Sequence, residues 1–230
     1  MNQNIQNRPK WKVLGILFLL IGGPIIWVII NKTGIHYSKP LPYYYERELA
    51  ANGDTIYHTI DDFKLLNQFG DSVTLKSYEG KILLVSFFFA SCETVCPQMN
   101  NYIAQHVYKE FSKDTSIVFL SFTVDPENDN PNVLFNYAKS LNAGHSWQFL
   151  TGSKNKIYSL AANSFKIPGA EDGEHQGLFH SSKIVLVDKQ KHVRGVFETG
   201  DQNEKSKTID AVRALKLQYI KKNESNSQKR

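Results

Sequence analysis

The sequence predicts an α/β domain on a mixed central sheet, preceded by a single N-terminal transmembrane helix. Three observations carry this expectation. Residues 13–30 (VLGILFLLIGGPIIWVII) hold 18 positions without a charge, residues 82–89 (ILLVSFFF) form one continuous apolar run, and from residue 63 onward strand-like and helix-like segments alternate. At 1.5 Å per residue the first stretch can cross a hydrocarbon core of about 30 Å with slight thinning. The second has the length and composition of a strand covered on both faces, which places it mid-sheet. The alternation implies parallel strands in the first half and an antiparallel pair in the second.

Taken in order, residues 1–12 read as a cytoplasmic N-terminus. Arg8, Lys10 and Lys12 precede the apolar stretch with no acid to offset them, whereas Lys32 is the only base soon after it. That asymmetry keeps the N-terminus inside and puts the body on the outer, periplasmic-type face. A cleaved signal peptide is the competing reading, but its apolar region is shorter and ends in a small-x-small site, which Ile30-Asn31-Lys32-Thr33-Gly34 lacks. Either way the body is exported to a compartment that permits disulfides. Residues 31–60, with Pro40, Pro42 and the run Tyr43-Tyr44-Tyr45, read as a stalk whose aromatic end packs on the domain.

The domain proper is expected over residues 61–222. Val73-Thr74-Leu75 is a short strand and Gly80 a turn before the apolar strand. Residues 97–114 follow as a helix, with Met99, Ile103, Val107 and Phe111 four apart and Pro97 in the first turn. Residues 117–124 form a second buried strand, 132–141 a helix, 147–150 a short strand, and 153–165 a helix opened by Ser153. Residues 183–187 and 192–198 flank a turn as a hairpin, 209–220 close the domain as a helix, and 223–230 are a polar tail.

Composition excludes several classes. The chain has 230 residues, 41% hydrophobic and 21% charged, with 2 cysteines, which rules out collagen-like, coiled-coil and disulfide-rich scaffolds. Its net charge of +5 sits in the two ends, and residues 33–220 hold 19 basic against 21 acidic side chains. A near-neutral body is no footprint for nucleic acid. About 190 residues also suffice for one core without staples, so the cysteines need another explanation.

Those cysteines, Cys92 and Cys96, lie just past the most apolar strand and just before a helix, where α/β sheets place ligands and reactive groups. Because residues before proline avoid the α region, Cys96 is expected in the loop and not in the helix. A thiol at a helix N-terminus is stabilised as thiolate, both nucleophile and metal ligand. Two thiols at this spacing can hold one soft metal ion, close into a disulfide, or stay buried as plain thiols. Histidine would supply a further ligand. Of seven, His180 stands out because it ends the loop 167–179 and directly precedes the hairpin, with His175 in reserve on the same loop.

These residues resemble the Sco/SenC copper chaperones of cytochrome oxidase assembly, a branch of the thioredoxin-like fold. The likeness rests on Cys92-x-x-x-Cys96-Pro97, on Val124-Asp125-Pro126-Glu127-Asn128-Asp129-Asn130-Pro131, on His180-Ser181 and on Leu150-Thr151-Gly152. It covers roughly residues 61–222. Glu93 and Thr94 stand where the family usually has Pro and Asp, and Ala90-Ser91 also departs from the common pattern. The resemblance implies copper held by Cys92, Cys96 and His180, as Cu(I) and possibly Cu(II), with a redox-active Cys92–Cys96 disulfide that cannot bind it. It implies delivery to the dinuclear copper site of cytochrome c oxidase subunit II, and a thiol reductant partner. A thiol-disulfide oxidoreductase using the same cysteines, with Cys92 attacking as the more exposed thiol, is the alternative. Asp125 is a weaker candidate for a role near the metal, and a cap on the turn before Pro126 is the favoured reading.

Overall fold

In the computed structural model, which describes residues 15, 18–32, 40–45, 47–168, 182–199 and 202–227, the sheet is organised around the apolar run. β5 (Ile82–Phe88) has all seven residues buried. Its neighbours are β6 (Ile117–Thr123), parallel, and β8 (Lys183–Val187), antiparallel. β7 (Trp147–Thr151) pairs parallel with β6, and β9 (Val193–Glu198) pairs antiparallel with β8. On the far edge β3 (Lys64–Asn67) and β4 (Ser72–Thr74) add antiparallel strands, giving the order β4-β3-β7-β6-β5-β8-β9. The expected mixed sheet is present.

Strand alternation divides the core in two. Leu83, Val85 and Phe87 join Leu120, Phe122, Ile157, Leu160 and Phe165 on one face. Ile82, Leu84 and Phe88 join Phe119, Phe149, Met99, Val107, Leu134, Val212 and Leu215 on the other. The second face is covered by α2 (Val95–Tyr102, continued through a wide turn over Ile103–Tyr108), α3 (Pro131–Ser140) and α5 (Gln202–Ser227). The first is covered by α4 (Lys154–Ser159) and the turn Leu160–Ser164. Between β5, β6 and β7 the buried hydroxyls are paired: Ser86 Oγ lies 2.8 Å from Ser121 Oγ, which accepts from Trp147 Nε1 at 2.9 Å. Such pairing removes the cost of hiding polar groups mid-sheet.

The sequence did not signal β3, whose four residues are too few for a clear period and include the exposed Leu66. Gly152 explains itself against this strand, since a Cβ there would meet Leu65 Cδ2 at 2.5 Å. Within the expected stalk a small hairpin forms, β1 (Arg47–Leu49) with β2 (Thr55–Tyr57), short and mostly exposed. The expectation for Cys96 is corrected. α2 begins at Val95, so Cys96 lies in its first turn and Cys92 outside it. Pro97 is tolerated because first-turn N–H groups have no partner within the helix.

The chain divides into two compact units at Pro40/Leu41. In the first, a wide turn over Phe18–Gly22 leads into α1 (Gly23–Lys32). No helix among the described residues is long and apolar enough to cross a membrane, and residues 13, 14, 16 and 17 of the expected span lie outside them.

The second unit opens with a strap over residues 41–45. Arg194, 8% exposed, donates from Nε to Pro42 O at 3.0 Å and from Nη2 to Leu41 O, and stacks its guanidinium 4.4 Å from the Tyr43 ring centroid. Its charge is matched by Asp188 Oδ2 at 2.8 Å. Asp188, 2% exposed, also accepts from the backbone N–H groups of Gln190 and His192, shaping the β8–β9 turn. Removing one partner of a buried pair strands the other without solvent. Arg194→Met is therefore expected to lower stability by about 3–5 kcal/mol in urea unfolding, and Asp188→Asn in the same chain to recover part of the loss.

Candidate functional site

The two cysteines owe their position to the carboxyl ends of β5 and β6. β5 runs out at Phe88, and Val124 N–H donates to Phe88 O at 2.8 Å, extending the parallel pairing one step beyond the strands. The chain then turns, with Cys92 N–H reaching back to Phe89 O at 3.3 Å. Three residues further the helix starts, and Cys96 N–H donates to Cys92 Sγ at 3.4 Å. Thr94 Oγ1 lies 3.9 Å from the same sulfur. Both thiols are free and buried, at 6% and 3% exposure.

Their environments separate their proton affinities. Burial raises the Cys92 thiol, but hydrogen bonds from the Cys96 side chain and backbone and from Thr94 outweigh it, and the net shift is downward. Burial raises Cys96 too, and its thiol, acting as donor toward Cys92, is pushed up to about 12. Cys92 is thus the readier of the two to give up its proton. Cys92 is the more exposed of the two, as expected, and its hydrogen bonds add to the difference.

A buried carboxylate fixes the loop. Asp129, 2% exposed, accepts at Oδ2 from Ala90 N–H at 2.9 Å and from the Thr123 hydroxyl. Thr123 Oγ1 in turn accepts from Asp125 N–H at 3.0 Å. Burial raises the Asp129 carboxyl above its ordinary range despite these donors. In the sequence nothing separates Asp129 from the other polar residues of the segment 124–131. Asp125 meets its expectation as a cap: its backbone carbonyl accepts from Asn128 and Asp129, and its carboxylate from Asn128 Nδ2. Next to it Asn130 caps α3, accepting from Asn132 and Val133 N–H, with Pro131 at the first helical position.

Behind the cysteines stand Tyr137 and Asn100. Asn100 Nδ2 donates to Tyr137 Oη at 2.8 Å. Burial, with the cysteines and Asp129 adding, pushes Tyr137 up to about 12, so it remains a neutral wall. No group of three or more potential metal-binding His, Cys, Asp or Glu side chains occurs among the described residues. His180 and His175, the expected third ligand and its reserve, lie outside them.

A dithiol at the strand-to-helix turn of a mixed sheet flanked by helices defines a thioredoxin-like redox or soft-metal protein. Comparison narrows the class: residues 52–216 match the SCO1/SenC family model, and the chain belongs to that family. It is 36% identical over 137 residues to the SCO1 protein homolog of Bacillus subtilis, covering 58% of this chain and 70% of that one. Among solved structures it resembles BsSco, described as a member of the Sco family of cytochrome c oxidase assembly proteins with a disulfide switch. The identity is 29% and the TM-score 0.58, over 71% of this chain and 97% of the other. It also resembles Bradyrhizobium japonicum ScoI with copper bound, at 26% identity and a TM-score of 0.53, over 68% and 97%.

Two outcomes are expected. In the reduced protein, iodoacetamide followed by peptide mass mapping labels Cys92 first, with a midpoint below the ordinary thiol value of 9.0, while Cys96 stays unlabelled until far higher pH. Asp129→Ala leaves Ala90 N–H and Thr123 Oγ without their buried acceptor, and chemical unfolding should show a loss of about 2–4 kcal/mol.

Proposed function

We propose that this chain is a membrane-anchored copper chaperone that binds one Cu(I) through Cys92, Cys96 and His180. Its client would be the dinuclear copper site of cytochrome c oxidase subunit II. The observation that carries the reading is the pair of free thiols held together at a helix start, with hydrogen bonds lowering the proton affinity of Cys92. Two soft sulfurs with an imidazole suit Cu(I) better than harder ions. Copper bound in the ScoI relative, and oxidase assembly in the description of BsSco, support the same assignment.

In this reading Cys92 offers its sulfur first, and Cys96 must give up a proton to join it. A disulfide between them removes both donors, so reduction by a thiol partner precedes loading. His180, which precedes β8 in sequence, would complete the site. Residues 13–30 would hold the domain on the outer face of the membrane, where confinement raises its effective concentration near an integral-membrane client.

The split in proton affinity also favours a second reading, a thiol-disulfide oxidoreductase acting on client cysteines. The Cys92 thiolate attacks a client disulfide, releasing one client thiolate and forming a mixed disulfide. Cys96, losing its proton, then attacks Cys92 Sγ and frees the second client thiol. The client gains two electrons, and the pair leaves as a disulfide.

An anaerobic Cu(I) titration of the reduced full chain against a chromophoric chelator separates the two. One tight equivalent is expected, weakened at least tenfold in His180→Ala. Because burial and its bond to Cys92 push the Cys96 thiol up to about 12, its sulfur must release a proton on binding, so affinity is expected to rise with pH, by about tenfold per unit for each proton released. Binding indifferent to His180 would falsify the ligand assignment, and no binding at all would transfer the function to the reductase.

A further inference from the structure

The end of the domain remote from the cysteines carries a second feature. The amino ends of β5 and β6, the β8–β9 turn and the last turns of α5 meet there. Tyr219 Oη receives Lys189 N–H at 3.2 Å and donates to Gln190 Oε1 at 2.5 Å, and Lys189 Nζ sits 4.9 Å from the Tyr219 ring centroid. α5 then runs on to Ser227, so its final turns extend past this contact. Lys221 and Lys222 on those turns are exposed and have no ion-pair partner among the described residues. Beside them Leu217 and Ile220 stand 42% and 51% exposed. The acids nearby are Asp114, which Lys216 neutralises, Asp188, which Arg194 neutralises, and Glu224 one helical turn beyond Ile220.

We propose that this lysine-flanked apolar end of α5 rests on anionic lipid headgroups. Lysines beside exposed aliphatic side chains are the composition of a helix that lies against a charged bilayer surface. A charged bilayer surface takes both features at once, the headgroups meeting the lysines and the acyl boundary Leu217 and Ile220. The covalent path favours lipid as well. Arg194, which holds Leu41 O, also contacts Gln218 Oε1 at 3.4 Å, so the domain's first residue lies one side chain away from these turns. Residues 31–40, even fully extended, separate Leu41 from the apolar stretch by only about 35 Å. Attraction to a charged surface fades within about 8 Å in physiological salt, so a short tether attached at this end is what makes the contact effective. The proposal rests on the anchor reading given above, and the test separates the two.

The full chain is reconstituted with vesicles of phosphatidylcholine alone or of phosphatidylcholine containing phosphatidylglycerol, and flotation from neutral vesicles at high salt checks the anchor first. Brief lysine acetylation with peptide mass mapping then reads the surface. Labelling of Lys221 and Lys222 is expected to fall at least about fivefold on the anionic vesicles and to recover in high salt, with Lys64 and Lys139 unchanged as controls. Lys221→Glu with Lys222→Glu should abolish protection of the remaining Lys189 without altering flotation. Flotation with equal labelling in both lipids overturns the proposal. So does protection by soluble polyglutamate on neutral vesicles without protection by phosphatidylglycerol, which would assign the face to an acidic protein. Failure to float overturns the anchor itself.

Discussion

The parallel pairing of β5 with β6 is the constraint on which the site depends. It brings two strand ends side by side and sends both following loops out at the same edge of the sheet. Alone this would leave two loops free to drift. The Asp129 carboxylate joins them, taking one hydrogen bond from Ala90 in the first loop and one from Thr123 at the end of β6. Hiding a carboxylate this completely opposes its ionisation, as its raised proton affinity records. A neutral amide or hydroxyl would be less costly to bury but would accept less strongly from two converging donors. The fold tolerates the burial because the residue it secures, Ala90, lies two positions before Cys92.

From that fixed loop follows the unequal character of the thiols. Cys92 faces the N–H groups of a helix start and a neighbouring thiol, whereas Cys96 sits inside the first turn and is the more deeply buried of the two. Desolvation acts on both and would by itself keep both protonated. Hydrogen bonding decides the outcome, since Cys92 receives several donors and Cys96 gives one away. Neither sulfur can be replaced by the other, although the sequence presents them as equivalent.

How much of this was legible beforehand varies with the signal. The apolar run of β5 could be read directly, because a strand hidden on both faces has no polar positions to interrupt it, and the four-residue spacing from Met99 to Phe111 marked α2 equally well. Pro97 misled the placement of Cys96. The rule against helix before proline is a preference of one residue, and here the free N–H groups of the first turn and the sulfur acceptor outweighed it. β3 was invisible because four residues cannot establish a period. Asp129 was in plain view within an acidic, Asn-rich segment, but a buried carboxylate and an exposed one look alike in a sequence; only the fold brings Ala90, 39 positions away, to meet it.

The same topology that gathers the cysteines at one end places the strap at the other. Because β8 runs antiparallel to β5, the turn after β8 lies at the amino end of β5, and Asp188 in that turn holds Arg194, which holds Leu41 and Pro42. The polypeptide therefore joins the domain at the edge opposite its dithiol. For a domain tethered as proposed, any pull along the chain is borne by a buried ion pair and two backbone acceptors and not by the loop that carries Cys92. The site can then face a client across the full length of β5, with its geometry insulated from the tether.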